Sequence, residues 1–145
     1  PNPSTGKHRE LILICGVSGA GKTWVCERLG DLAIYVPHDK YYKDIVQACI
    51  KAADNTTKPL ITECPFGERL MKEQLEKDGF DVIPVFVIEW PDIVAKRYAA
   101  RENKPLPKAA HTRATTIKDR AKEWGAFAGT SEEVLAHLKD FLKDE

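Results

Sequence analysis

Short unbroken apolar runs alternate along the chain with longer segments in which apolar residues recur every three to four positions. Leu11-Ile12-Leu13-Ile14-Cys15 is such a run, and it predicts a strand buried on both faces. The segments 32–36, 60–62, 82–88 and 126–128 predict four more strands. Pro84 is awkward inside the fourth and is tolerable only at an edge or near a strand opening. Helices are predicted between them, over 23–29, 41–53, 66–78, 91–101 and 115–124. Ile45, Val46, Cys49 and Ile50 form the stripe of the second helix, and Asn55-Thr56-Thr57-Lys58-Pro59 ends it. Gly79 closes the third and Pro91 opens the fourth. Thr130-Ser131-Glu132-Glu133 reads as a capping box for a last helix running through Leu142.

Strands alternating with helices predict an α/β fold with a parallel sheet covered on both faces. The 145 residues suffice for one domain, taken as 9–145, with 1–8 expected to be a flexible tail. In such sheets ligands bind beyond the carboxyl ends of the strands, so the residues following each strand are the candidates.

The first of these loops carries the strongest signal in the chain. Gly16-Val17-Ser18-Gly19-Ala20-Gly21-Lys22-Thr23 fills GxxxxGK[ST] between a predicted strand and a predicted helix. Glycines at those places let the backbone wrap a polyphosphate, and the following helix adds its positive end. Gly16, Ser18, Gly19, Ala20, Gly21, Lys22 and Thr23 are therefore assigned to ATP. Lys22 reaches the terminal phosphates and Thr23 offers a hydroxyl to Mg2+. The expected fold is a P-loop NTPase three-layer sandwich with a parallel five-stranded sheet and an arginine-bearing lid.

Other strand ends supply the remaining candidates. Asp39, after the second strand, suits a base that accepts the proton of an attacking hydroxyl; an Asp there also caps a helix. His38 beside it reads as a solvated loop residue. Glu63, after the third strand, suits a Mg2+ contact through water or an acceptor contact, and equally a turn acid before Pro65. Tyr42 and its neighbour Tyr41 can stack an acceptor base or sit half-buried on a helix. Thr130 lies in the loop expected near the nucleotide base, where a plain cap explains it equally well. Trp24, Trp90 and Trp124 read as packing residues.

Charge then changes the picture locally. The whole chain has a formal net charge of zero, yet the segment 96–122 holds nine lysines and arginines against Glu102 and Asp119, a net of +7. Arg97 and Arg101 are four apart on one helix face, where two guanidiniums can close over a transferring phosphoryl group. Pro105-Leu106-Pro107 would stiffen or hinge such a lid, set at 96–122. Cys15, Cys26, Cys49 and Cys64 form no CxxC pair, a pattern that fits a reducing cytoplasm, and Cys15 and Cys64, at the ends of predicted buried strands, read as small core residues. No apolar run approaches a membrane span. A GTPase switch is disfavoured: there is no DxxG, and Asn103-Lys104-Pro105-Leu106 lacks the Asp of a guanine-reading motif.

The phosphate loop, His38-Asp39-Lys40-Tyr41, Thr62-Glu63-Cys64, Lys96-Arg97-Tyr98-Ala99-Ala100-Arg101 and Lys104-Pro105-Leu106-Pro107 fall in the order seen in phage polynucleotide kinase, and from Leu11 to Arg120 the chain resembles that family. The resemblance implies Asp39 as general base, Lys22 and Thr23 on ATP and Mg2+, Arg97 and Arg101 as lid arginines, and Glu63 near the acceptor or metal. It also implies a phage enzyme acting in the host cytoplasm. One departure is Tyr42, which stands where the family has an acceptor-gripping Arg. Small phage kinases that phosphorylate 5-hydroxymethyluracil in DNA are similar in layout. The expected activity is therefore ATP-dependent transfer to a hydroxyl on DNA, preferably that hydroxymethyl group and otherwise a 5′-hydroxyl end. The alternative is a small-molecule kinase acting on a nucleoside, nucleotide or metabolite.

Overall fold

The computed structural model describes residues 9–17, 20–65, 67–88 and 91–143, the side chains at 91, 92, 110, 111, 114 and 115 excepted. Ser18, Gly19, Trp90 and the expected tail 1–8 lie outside the described residues. Five strands form one parallel sheet in the order β2-β3-β1-β4-β5. They are β1 (Arg9–Cys15), β2 (Ile34–Tyr35), β3 (Leu60–Cys64), β4 (Phe80–Val87) and β5 (Phe127–Gly129). The unbroken apolar run puts β1 at the centre, where every residue from Leu11 to Cys15 is fully buried. Pro84 is accommodated because β5 pairs only with Val85, Phe86 and Val87, so β4 has no second neighbour at the proline.

Strand alternation divides the core in two. Ile12, Ile14, Ile61, Val85 and Val87 face α1 (Lys22–Glu27) and α7 (Ser131–Lys143), with Val94 of α5 (Pro91–Glu102) and Leu106 completing that cluster. Leu11, Leu13, Cys15, Leu60 and Phe86 face α3 (Ile45–Asp54), α4 (Glu68–Lys77) and α6 (Lys108–Trp124). Each helix presents residues four apart: Ile45, Cys49 and Ala53 on α3; Met71 and Leu75 on α4; Ile117 and Ala121 on α6; Val134, Leu138 and Leu142 on α7. The result is the expected three-layer α/β sandwich.

Element boundaries differ from the sequence reading, among them β3, which runs on to Cys64 and so contains Glu63 instead of preceding it. The helix expected over 41–53 is broken at Tyr42, whose φ of 45° is left-handed, so α2 (His38–Tyr41) is a separate single turn. The strand expected from residue 32 begins at Ile34, because Leu32 closes a 3-10 turn, Gly30–Leu32. α6 starts at Lys108, directly after Pro107, rather than at 115. The capping box is present as read: the Thr130 N–H donates to Glu133 Oε1 at 3.0 Å, and the Glu133 N–H donates to Thr130 Oγ1 at 3.3 Å.

Candidate active site

The phosphate loop follows β1 and turns sharply into α1. Gly21 has a φ of 103°, and a Cβ there would lie 2.9 Å from Ser131 Cβ, so the loop and the start of α7 approach as closely as glycine allows. A Cβ on Gly16 would meet the carbonyl oxygen of Val87 at the same 2.9 Å. Lys22 is buried, and its Nζ donates to the loop carbonyl of Val17 at 2.8 Å. Burial lowers its pKa from 10.5 to about 8, the nearby Arg113 guanidinium adds to this, and Glu63 partly opposes it.

Beside the loop, the penultimate residue of β3 is Glu63, which is only 4% exposed and lies on the same face of the sheet as α1. Its carboxylate is fully engaged. The Tyr35 hydroxyl donates to Oε2 at 2.5 Å, the Thr23 hydroxyl to the same oxygen at 3.5 Å, and the backbone N–H of His38 to Oε1 at 2.7 Å. Burial and the bond to Glu63 push the Tyr35 phenol well up, which keeps it a donor. Burial first, and then Glu63, likewise push the Cys26 thiol up.

A cleft of about 830 Å³ opens over this floor. It brings together Gly21, Lys22 and Thr23 of the loop, Asp39 of α2, Glu63 of β3, and Arg97 and Arg101 of α5. Four segments far apart in sequence thus converge at the carboxyl edge of the sheet, where the topology places a ligand. Asp39 is open to solvent, with its side chain 84% exposed and its Oδ1 4.0 Å from His38 Nδ1. Arg101 stacks on Tyr98 and pairs with Glu102 at 3.1 Å. Thr23 and Glu63 place a hydroxyl and a carboxylate side by side, a hard-oxygen donor set suited to Mg2+ directly or through water.

Not every expected residue lines the cleft. Tyr42 does not; it is 64% exposed, with its ring edge-on to His38 at 6.0 Å. Thr130 caps α7, and the next residue, Ser131, is the one on the cleft wall. One reading needs correction. His38 is not solvated: its side chain is 16% exposed and Nδ1 is buried without a hydrogen-bond partner. Trp24 packs partly buried against the core cluster as expected and also borders the cleft, with the Arg28 guanidinium 4.3 Å from its ring centre.

The basic segment divides in two. α5 lies along the cleft. α6 docks on the sheet through Ile117 and Ala121 and is tied to α4, because Glu68, 1% exposed, is held by Arg113 at 2.5 Å and Arg120 at 3.0 Å. Arg113 also donates to the carbonyl of Pro65 at 3.0 Å. Glu68 and its two arginines were not legible as a unit. The partners are 45 and 52 positions apart, and the only local signal was an acid in the first turn of a helix.

No family model and no curated protein matches this chain. Solved structures do. A gluconokinase from Sinorhizobium meliloti 1021 superposes with a TM-score of 0.60 at 18% identity, covering 94% of this chain and 97% of its own. A shikimate kinase from Acinetobacter baumannii, solved with shikimate, gives 0.56 at 14% identity over 100% of this chain and 99% of its own. The chain has the fold of the P-loop kinases. Among the described residues no helix is long and apolar enough to cross a membrane.

Proposed function

We propose that the protein is an ATP-dependent phosphotransferase with a hydroxyl acceptor. The observation that carries this reading is the convergence of Lys22, Thr23, Asp39, Glu63, Arg97 and Arg101 on one cleft. Gly16 to Thr23 hold the polyphosphate, with Lys22 leaving the Val17 carbonyl for the terminal phosphates. Mg2+, when bound at Thr23 and Glu63, neutralises phosphate charge. Asp39 orients the acceptor hydroxyl and takes its proton, a role for which an exposed carboxylate facing the cleft is suited. Arg97 and Arg101 stabilise the charge on the phosphoryl group in transit. Catalysis is then chiefly positioning and electrostatics.

The acceptor is a small molecule in the reading that the solved neighbours favour, since both are named as kinases of small hydroxyl compounds. The structure lends it a second support. Arg113 and Arg120, two of the nine cations of the basic segment, are engaged by Glu68 and so are less able to serve a phosphate backbone. A DNA acceptor, in particular the hydroxymethyl group of 5-hydroxymethyluracil or a 5′-hydroxyl end, is the second reading. It is favoured by the exposed ring of Tyr42 three residues after Asp39, and by the exposed Lys96, Lys104 and Lys108 beside the lid arginines.

The test is transfer of labelled γ-phosphate from ATP-Mg2+ to three acceptors in parallel: 5′-hydroxyl DNA, end-blocked DNA containing 5-hydroxymethyluracil, and a panel of free nucleosides, nucleotides and hydroxy metabolites. Label in the small molecules alone establishes the first reading. Label in either DNA establishes the second. Tight ATP binding without transfer to any acceptor refutes both.

A further inference from the structure

We infer that Tyr35 is a positioning residue whose hydroxyl sets the Glu63 carboxylate as a strut between the phosphate loop and the turn that carries Asp39. The inference rests on the reading of the cleft as a phosphotransfer site, in which Thr23 serves the nucleotide and Asp39 the acceptor.

Glu63 is buried and its two oxygens face different parts of the cleft. Oε2 accepts from Thr23 on the phosphate side, and Oε1 accepts from the His38 N–H on the acceptor side. His38 opens α2 and Asp39 is its second residue, so the carboxylate fixes the first turn of the segment that points Asp39 into the cleft. Tyr41 anchors the far end of that turn in the core, and the Glu63 bond holds its start. α2 is four residues long, has no side-chain cap, and ends at the left-handed Tyr42. A charge-assisted bond of 2.7 Å to its first N–H is therefore a principal restraint on Asp39.

A carboxylate makes such a strut only if it cannot rotate. Thr23, at 3.5 Å, is too distant to hold it alone. The Tyr35 hydroxyl, at 2.5 Å, supplies the missing restraint from the end of β2. Its ring packs partly buried against the apolar cluster beneath, so its own position is fixed by burial. Tyr35 is absent from the cleft lining; its hydroxyl lies behind Glu63, where it also meets the Thr23 side chain. It acts through Glu63, as outer-shell partners of metal-site ligands do.

The experiment compares the full chain with Tyr35→Phe, which removes one oxygen and keeps the packed ring, and with Glu63→Ala. Backbone amide exchange is measured by NMR without nucleotide or metal. The His38 amide is expected to exchange about tenfold or more faster in Tyr35→Phe, approaching Glu63→Ala, while amides of α7 around Leu138 stay unchanged. In a parallel titration, the Mg2+-dependent part of the ATP affinity is expected to fall roughly 10- to 100-fold in Tyr35→Phe, with metal-free ATP binding unaffected. His38 exchange within twofold of the parent in Tyr35→Phe, alongside fast exchange in Glu63→Ala, overturns the role of Tyr35. Fast exchange in both variants of a protein that phosphorylates no acceptor upholds the strut and refutes the phosphotransfer reading, so the two failures are distinct.

Discussion

Replacing Lys22 with Met is expected to make the nucleotide-free protein more stable. The amine is buried, and its pKa falls from 10.5 to about 8, first through loss of hydration and then through Arg113. At about 1.4 kcal/mol per decade, holding the ammonium in this site costs on the order of 3 kcal/mol at neutral pH. Met removes that cost but also removes the bond to the Val17 carbonyl, a loss of roughly 1–2 kcal/mol. The net gain is therefore about 1–2 kcal/mol near pH 7. The pH dependence follows from linkage. A base whose folded pKa lies below its unfolded value binds fewer protons when folded over the range between the two, so the parent gains stability as pH rises through it. The Met variant lacks this gain, and its advantage shrinks by about 2 kcal/mol between roughly pH 7 and pH 9.5. The assay is urea unfolding of both proteins with EDTA present, with the slopes compared to verify that the unfolded states match. A difference that does not change with pH, or a variant less stable throughout, refutes the account of a desolvated lysine.

Three further outcomes are expected. Arg101→Ala should lower turnover on the order of 10³-fold or more, measured as initial rate at saturating ATP, and near-normal turnover removes Arg101 from the mechanism. Arg113→Ala should destabilise the fold by roughly 2–4 kcal/mol in urea unfolding, since it leaves Glu68 buried with only Arg120. Burial pushes the Glu68 carboxyl up, but the bonds and charges of Arg113 and Arg120 outweigh this and hold it below 4.5. The stability it contributes is therefore present above that value and lost as pH falls below it, and Arg113→Ala should flatten this acid limb. Gly21→Ala should cost about 1–3 kcal/mol through a left-handed φ and the contact with Ser131, and calorimetry should show weakened nucleotide binding.

The parts of the molecule that local chemistry determines were legible in the sequence. The apolar run of β1, the glycine spacing of the phosphate loop and the Thr130–Glu133 box each carry their reason within a few residues. Asp39, Glu63, Arg97 and Arg101 were legible because a parallel sheet gathers its strand ends, and these residues lie at or after strand ends or on a helix face near one. Long-range contacts were hidden. Tyr35 lies 28 positions from Glu63, and Arg113 lies 45 from Glu68, so nothing in either neighbourhood announces the bond. The start of α6 was missed because Lys108-Ala109-Ala110-His111-Thr112-Arg113 has no apolar stripe. The break at Tyr42 was missed because a left-handed tyrosine has no sequence signal.

The sheet that divides the core also divides the labour of the proposed reaction. Helices α1 and α5, which carry Lys22, Thr23, Arg97 and Arg101, rest with α7 on one apolar cluster. Tyr41, in the turn that carries Asp39, and α3 packed behind it rest on the other. Glu63, on the α1 face of β3, reaches across to accept from the His38 N–H in that turn. If the cleft transfers phosphate as proposed, acceptor preference is expected to respond to repacking of the layer behind α2.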